Sequence, residues 1–353
     1  MSVLERAASG LGRGGARACA AASVVGAAAL VSGVAAGGTR AALAALAASW
    51  LFFAGVAAGS VALSAAVRLA SGGWARSILP VAEAGAAFFL PAWAWLVIVA
   101  AGLPALLPPG APAALGASRL LVSAAVVFWA GRRFVSLAHR EQADSTRVRS
   151  AALGYVLVYV LGLSVWAFDL VLRPSAGPMF TVVPAYYFLG AFVSGLAWVA
   201  LVAAWRDVSG PDLRHDLGKL LFAFIVVWTY LLWALYLPTW YGNVPEEVAV
   251  LLRRWSGGYR PVTVTVLVAV FAWPFWLLFS ERLKRRRSTL AAGAGAILLG
   301  LWGERFLLVF PSLRLNAGAA TLLVCAGISL GVAATFLLAI GGRLPPAPGR
   351  TRA

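Results

Sequence analysis

The chain has 353 residues, of which 62% are hydrophobic and only 12% are charged, and its mean hydropathy is +0.88. A soluble domain carries roughly 25% charged residues, so this composition excludes a normal soluble surface and predicts an integral membrane protein. The formal net charge of +17 would suit a nucleic-acid-binding protein. The basic residues instead gather in the connections between apolar runs, so no nucleic-acid partner is expected.

Ten apolar runs are long enough to cross the core of a bilayer, which takes about 20 residues of helix. A cleaved signal peptide is an alternative for the first run, because Arg6, Arg13 and Arg17 precede it. We expect an uncleaved helix there. The predicted spans are 18–37, 42–69, 78–103, 117–131, 150–172, 183–205, 218–242, 262–280, 289–310 and 319–341.

Basic residues mark one side of the predicted membrane domain, 18–341. With ten spans, the connections after spans four and eight and the C-terminal tail lie on the same side as the N-terminus. The positive-inside rule then predicts cytoplasmic termini, with a basic segment 1–17 and a Pro/Arg-rich tail 342–353. Contact with anionic lipids is a further expectation. The residues are Arg132, Arg133, Arg140, Arg147, Arg149, Arg282, Lys284, Arg285, Arg286, Arg287, Arg343, Arg350 and Arg352.

Cysteine and histidine are too sparse to predict a metal or redox centre. Cys19 and Cys325 lie in the first and last spans without a CxxC spacing, so no disulfide framework or iron–sulfur site follows. His139 and His215 are the only histidines and fall in or beside cytoplasmic connections, whereas a membrane haem needs ligands within the spans. We expect no cofactor or metal bound by this chain.

Segments 52–68 and 187–206 resemble each other and suggest an internal repeat. Both open with aromatic residues, place a small residue four positions after a glycine, and end in arginine. At the same offset of about 136 residues, Glu83 falls opposite Lys219. Four helices separate the units, so the repeat is parallel and predicts two four-helix bundles, about 42–172 and 183–310, plus flanking helices. A chance likeness between Ala/Gly-rich helices is the alternative.

Three acidic residues lie within predicted spans: Glu83, Asp169 and Glu304. A charge at mid-membrane costs at least ~2.5 kcal/mol, so such groups tend to face the bundle interior and to be paired or functional. Two readings stay open, a path of proton-carrying groups and structural pairing. Arg305 follows Glu304 directly, and neighbouring helical residues point about 100° apart. We therefore expect the two to pair with other helices rather than with each other.

The seventh span carries a polar stripe at helical spacing that includes Lys219 and Tyr230. It predicts a path from a cytoplasmic ammonium through a phenol, with packing of Tyr230 as the alternative. His215 and Asp216 precede the span and could form a proton entrance. A solvated histidine and a helix N-cap at Asp216 are the simpler readings.

The segment "NVPEEVAVLLRRWSGGYR" predicts a short amphipathic piece on the outer side. Two acidic residues lead it and two arginines trail it, an arrangement suited to docking a partner subunit. These residues are Glu246, Glu247, Arg253 and Arg254.

The block "HDLGKLLFAFIVVWTYLLWALYLPTWYGNVPEEVAVLLRRWSGGYR" resembles the F subunit of alternative complex III, also named quinol:cytochrome c oxidoreductase quinone-binding subunit 2. "SGGWARSILPVAEA" and "FDLVLRPSAGPMFTVVPAYYFLGAFVSGLA" are similar to further elements of that family, which is related to the NrfD or polysulfide-reductase type of membrane subunit. The resemblance implies ten helices in two four-helix bundles and no cofactor in this chain. It also implies a quinol-binding sister subunit, a multihaem cytochrome c subunit and an iron–sulfur subunit as partners.

The leading hypothesis is a non-catalytic subunit of a quinol-oxidising respiratory complex in the bacterial cytoplasmic membrane. It would help to conduct protons and to assemble the complex, and quinol or quinone would bind at the level of the complex. A stand-alone secondary transporter is the rival, although the repeat is parallel and the midplane is nearly all apolar. A purely structural scaffold is a third reading.

Overall fold

The structure, a computed structural model, describes residues 11–140, 145–175, 181–208, 210–315 and 319–344, together with Glu5, Ala7 and Ser9. Arg6 and the tail residues Arg350 and Arg352 lie outside this part of the chain. The spanning helices are α1 (Arg13–Ala35), α2 (Thr39–Leu69), α3 (Leu79–Ala101), α4 (Ala113–Arg140), α5 (Thr146–Ser175), α6 (Val183–Trp205) and α7 (Pro211–Gly242); the short α8 (Pro245–Arg254) precedes α9 (Tyr259–Phe279), α10 (Arg287–Val309) and α11 (Ala319–Gly341).

The predicted fold class is confirmed, since the described residues form helices without strands, and ten of these helices are long and apolar enough to cross a membrane. Two predicted boundaries differ most from the structure. Helix α4 runs to Arg140 rather than ending at 131, because arginine is a good helix former whose long side chain can leave an apolar surface while its backbone stays helical. Helix α7 begins at Pro211 rather than 218, and proline suits a first helical position.

Eight of the spanning helices form two four-helix bundles. Bundle one contains α2, α3, α4 and α5, and bundle two contains α6, α7, α9 and α10; in each, successive helices pack side by side and the last returns to the first. Helix α2 packs along α6, and the remaining pair, α1 and α11, packs together against α2. The identical packing order agrees with the predicted arrangement of two bundles and flanking helices.

Glycine permits the close approach of α2 and α6. A Cβ atom at Gly59 would lie 2.1 Å from the carbonyl oxygen of Ala191, and one at Gly195 would lie 2.3 Å from the backbone of Ser60. Lipid tails are as apolar as the side chains of a membrane helix, so the hydrophobic effect does not bring two such helices together. They associate instead through the close packing that small residues permit. The two bundles are therefore joined along a backbone-to-backbone seam.

Buried aromatic side chains also tie neighbouring helices to one another. Tyr155 on α5 donates a hydrogen bond to the carbonyl of Ala58 at 2.9 Å, and Tyr187 on α6 donates to that of Leu51 at 2.9 Å. Both rings fill space beside α2 while their hydroxyl groups find a partner, as buried phenols require. These contacts hold α2 at the centre of the molecule.

The helix ends lie on two faces. One, here called the basic face, carries the last turns of α2, α4, α6, α9 and α11 and the first turns of α3, α5, α7 and α10. The opposite face carries α8, the last turns of α3, α5 and α10 and the first turns of α4 and α6. The basic face is the one expected to be cytoplasmic, and the orientation in a membrane stays a prediction.

Candidate functional site

Glu83 lies near the basic face, buried among three helices of bundle one. Its Oε1 accepts hydrogen bonds from Ser64 Oγ and Arg68 Nη2, each at 2.7 Å, and its Oε2 lies 2.9 Å from His139 Nε2. The first two partners come from the end of α2, and His139 comes from the last turn of α4. Every oxygen of this buried carboxylate therefore has a partner, which offsets the cost of removing it from water.

His139 was not expected at this site, since the sequence predicted a position in or beside a connection. The longer α4 brings its ring to Glu83. Arg68 and Ser64 also escaped the sequence analysis, although a signal existed: they lie one helical turn apart at the end of the span that precedes Glu83.

Asp169 is fully buried in bundle one toward the opposite face, in a π-helical turn formed by Phe168–Leu172. Its Oδ1 accepts hydrogen bonds from Arg119 on α4 and from Arg173 Nη1, the latter at 2.9 Å. Arg173 also donates to the carbonyl of Pro112 at 3.1 Å. Gly116 leaves room for this guanidinium, because a Cβ there would lie 2.1 Å from Arg173 Nη1. The geometry is that of a structural clamp between α4 and α5.

Glu304 and Arg305 are buried on α10 in bundle two, and here the expectation that they would not pair with each other was wrong. Arg305 Nη1 lies 2.9 Å from Glu304 Oε2, because a long arginine side chain can swing back across the 100° that separates neighbouring helical positions. Arg305 also reaches α6, where its guanidinium lies 4.5 Å from the centre of the Tyr187 ring. Gly190 leaves the space for it, since a Cβ there would lie 2.7 Å from Nη2.

The carboxylate of Glu304 is only 3% exposed, yet neither of its oxygens accepts a hydrogen bond of normal geometry from the described residues. It lines a partly open cavity of about 280 Å³ between α6, α7, α8, α9 and α10. Tyr186, Trp228 and Arg254 share the wall, and the indole Nε1 of Trp228 and the Nε of Arg254 also lack partners. Unbonded buried donors and acceptors converge on one apolar cavity.

The four residues proposed for docking, Glu246, Glu247, Arg253 and Arg254, do not share one surface. Glu246 is exposed on α8, whereas Arg254 is buried and turned toward Glu304. Arg253 donates to the carbonyl of Pro311 at 3.3 Å, and partial burial lowers the pKa of its guanidinium below the ordinary value. Docking remains a prediction for the exposed acidic end, while Arg254 belongs to the cavity.

The polar stripe of α7 faces outward, so the structure does not join it to the buried acids. Tyr230 is 65% exposed on the surface that would meet lipid. The predicted path through Lys219 and Tyr230 would therefore run along the outer surface of α7, and it stays a prediction. Lys219 Nζ pairs with Asp216 Oδ1 at 2.7 Å, and Asp216 lies in the second turn of α7 rather than at its N-cap.

His215 lies at the basic face beside a network that connects α7 to the α9–α10 connection. Arg214 donates to the carbonyl of Arg285 at 2.9 Å, and Arg285 pairs with Asp212 at 2.6 Å and Glu281 at 3.1 Å. Hydrogen bonding to Asp212 and Glu281 raises the pKa of Arg285, and the same contact lowers the pKa of Glu281. The predicted proton entrance is thus part of a charged clamp across the start of bundle two.

Among the described residues, no group of three His, Cys, Asp or Glu side chains could hold a metal ion. The expectation that no cofactor binds this chain stays a prediction. No protein-family model matches the sequence, and a search of curated proteins found no match.

Proposed function

We propose that this chain is an integral membrane subunit of a quinol-oxidising electron-transfer complex in a bacterial cytoplasmic membrane. It assembles there with a quinol-binding sister subunit, a multihaem cytochrome c subunit and an iron–sulfur subunit. Its own contribution is to hold ionisable groups that exchange protons inside the membrane. The block from His215 to Arg260, which resembles the F subunit of alternative complex III, supports the identity of the complex.

The observation that carries the proton role is Glu304. The Tyr186 hydroxyl lies close to this buried carboxylate, but not in the geometry of a normal hydrogen bond. A buried carboxylate without a good hydrogen bond is unfavourable, so a further donor in the adjoining cavity would stabilise it. Water or a hydroxyl group in that cavity would supply the donor, and a carboxyl group can take and release the proton. Arg254 on the cavity wall leads from Glu304 toward α8 and the opposite face.

Glu83 is the corresponding group at the basic face. His139 lies on the exposed side of Glu83, while Ser64 and Arg68 hold its other oxygen from α2. A partly exposed imidazole in contact with a buried carboxylate is a suitable site for proton exchange with water. Glu83 and Glu304 thus provide one exchange site near each face, in different bundles.

The composition of the complex is tested by gentle solubilisation of native membranes, capture through a C-terminal tag, and mass spectrometry with a reduced-minus-oxidised haem spectrum. We expect a c-type haem signal, an iron–sulfur subunit and a larger membrane sister. A colourless, solitary protein would overturn the assignment and favour a stand-alone transporter.

The proton role is tested by Glu304→Gln, which keeps the side-chain volume and removes the exchangeable charge. We expect the proton-coupled rate of the reconstituted complex to fall by roughly 10²-fold, the typical contribution of a positioned proton-transfer group. Glu281→Gln, at an exposed position in the α9–α10 connection, is the matched control and should leave proton coupling unchanged. If the haem and partner content of both variants stays normal and coupling is unchanged, Glu304 has only a structural role.

A further inference from the structure

We propose that the basic face of bundle one binds the phosphate of one anionic phospholipid, in a cavity between α4 and α11. The site goes beyond the proposed function, since it would operate in any membrane complex that contains this chain. It is also separate from the Glu304 cavity, which lies in bundle two.

The cavity has a volume of about 400 Å³ and is lined mainly by cationic and hydrogen-bonding side chains. Arg132, Ser136 and His139 follow one another at intervals of four and three residues, so they share a face of α4. Arg140 follows in the same last turn, and Arg343 approaches from beyond the end of α11. Side chains that are far apart in sequence therefore converge on one space.

The charges around this cavity are not balanced within the described part of the chain. Arg132, Arg140 and Arg343 form no ion pair with a described acidic residue, and the nearby carboxylate of Glu83 already has Arg68 and His139 as partners. Guanidinium groups bind phosphate oxygens through paired hydrogen bonds, and Ser136 adds a hydroxyl donor. An anion with several oxygens is the ligand that such a set would recognise.

The same face of bundle two carries both paired and unpaired arginines. There Arg285 pairs with Asp212 and Glu281, and Arg214 lies 3.4 Å from Asp207. Other arginines there, such as Arg282 and Arg286, form no ion pair with a described acidic residue, but they lie apart from this cavity. The arginines at the cavity differ because they converge on one space with hydrogen-bonding side chains, which points to an anion supplied from outside the chain.

The surface below the cavity favours a lipid over a free phosphate. Val122, Val126 and Trp129 form an exposed apolar ridge on α4 that ends at Arg133, the chain neighbour of Arg132 at the cavity. Arg133 itself lines a neighbouring pocket shared with α5. The Arg133 guanidinium lies 5.4 Å from the centre of the Trp129 ring, and such tryptophan–arginine pairs mark the headgroup level of a membrane. A phosphate in the cavity would place its acyl chains along this ridge.

His139 joins the lipid site to Glu83. Its ring lines the cavity and contacts Glu83 through Nε2. A bound phosphate would lie one side chain away from the buried carboxylate and would hold the His139 ring in place.

The binding test is native mass spectrometry of the purified complex, titrated with phosphatidylglycerol or with zwitterionic phosphatidylcholine of the same chain length. We expect one tightly held phosphatidylglycerol per copy of this chain and no comparable phosphatidylcholine. Equal retention of the two lipids would overturn the proposal. Displacement of phosphatidylglycerol by millimolar inorganic phosphate would show a free-anion site and overturn the lipid assignment.

The residue assignment is tested by combining Arg132→Gln with Arg343→Gln. Each arginine near an anionic membrane surface contributes about fivefold to binding, so the double variant should bind phosphatidylglycerol roughly 25-fold more weakly. Arg282→Gln with Arg286→Gln removes the same charge from exposed positions on the same face and should leave the affinity within about twofold. If the two double variants lose affinity equally, phosphatidylglycerol is attracted by the overall positive charge of the basic face and the site does not exist. Thermal unfolding of both variants confirms that each is folded.

Discussion

The two four-helix bundles share a packing order but treat charge in opposite ways. In bundle one, the buried acids Glu83 and Asp169 are each held by basic side chains from other positions in their bundle. In bundle two, Glu304 contacts its own neighbour, Arg305, and accepts no hydrogen bond of normal geometry from the described residues. At the basic face the contrast reverses, because Arg285 of bundle two has acidic partners, whereas the arginines at the cavity between α4 and α11 have none among the described residues.

This contrast shows which features a shared helix arrangement imposes. Close packing of α2 on α6 requires small residues at matching depths, and both helices have them. Charge pairing is not required by the arrangement. At the offset of the predicted repeat, buried Glu83 corresponds to Lys219, which is exposed on the surface of α7. Charges that differ between the bundles are therefore where a ligand or a proton is expected to act.

The largest effect should come from breaking the seam that joins the bundles. A side chain at Gly195 would meet the backbone of Gly59 and Ser60 at 2.3 Å, and backbone atoms of two long helices cannot move aside cheaply. We expect Gly195→Leu to abolish the monodisperse protein in detergent, measured by size-exclusion chromatography. Gly154→Leu is the matched control, because a Cβ on this exposed face of α5 meets nothing within 4 Å. Normal behaviour of Gly195→Leu would mean that the bundles are not held by close α2–α6 packing.

A smaller effect should come from removing one hydrogen bond at Glu83. Ser64 donates to the buried carboxylate at 2.7 Å, and hydrogen bonds to charged groups contribute about 1.5–3 kcal/mol. Ser64→Ala should therefore lower the free energy of unfolding by about 2 kcal/mol. Denaturant or thermal unfolding in detergent measures the change.

Ser194→Ala is the control for Ser64→Ala. The Ser194 hydroxyl is also buried but donates only to the carbonyl of Ala191 in its own helix, at 2.8 Å. Its removal leaves no charged group without a partner, so we expect a loss below about 1 kcal/mol. Equal losses in the two variants would show that the carboxylate of Glu83 does not depend on its hydrogen bonds.

The helices could be predicted from the sequence because their signal is local. Apolar runs of sufficient length determine the spans, and span six was predicted at 183–205, as observed. The end of α4 was missed because the apolar run stops at Arg132 and Arg133, whereas the helix continues through them to Arg140. That error also hid the contact between His139 and Glu83.

The side-chain partners of the site could not be read from the sequence. The direction in which the α7 stripe faces depends on the neighbouring helices, so the spacing that predicts a path through Tyr230 does not show that the path lies on the exposed side. The pairing of Glu304 with Arg305 depends on side-chain conformation rather than on helical angle. The buried acids themselves were identifiable because a charge within a span is costly wherever it points.

The smallest effect concerns the paired charges at the basic face of bundle two. Hydrogen bonding to Arg285 lowers the pKa of Glu281 below its ordinary value of 4.5. The folded protein then binds fewer protons at this group than the unfolded chain, so the stability that Glu281 contributes is present above pH 4.5 and is lost as the pH falls through the lowered pKa. Wild type and Glu281→Gln should differ slightly in apparent Tm near neutral pH and converge below this window.

Exposed Glu246→Gln, whose carboxylate has no ion pair with a described residue, should show no such convergence. A gap between wild type and Glu281→Gln that persists at low pH would mean that the Arg285 contact does not stabilise the α9–α10 connection through charge, and the contrast with the unpaired arginines of bundle one would lose its basis.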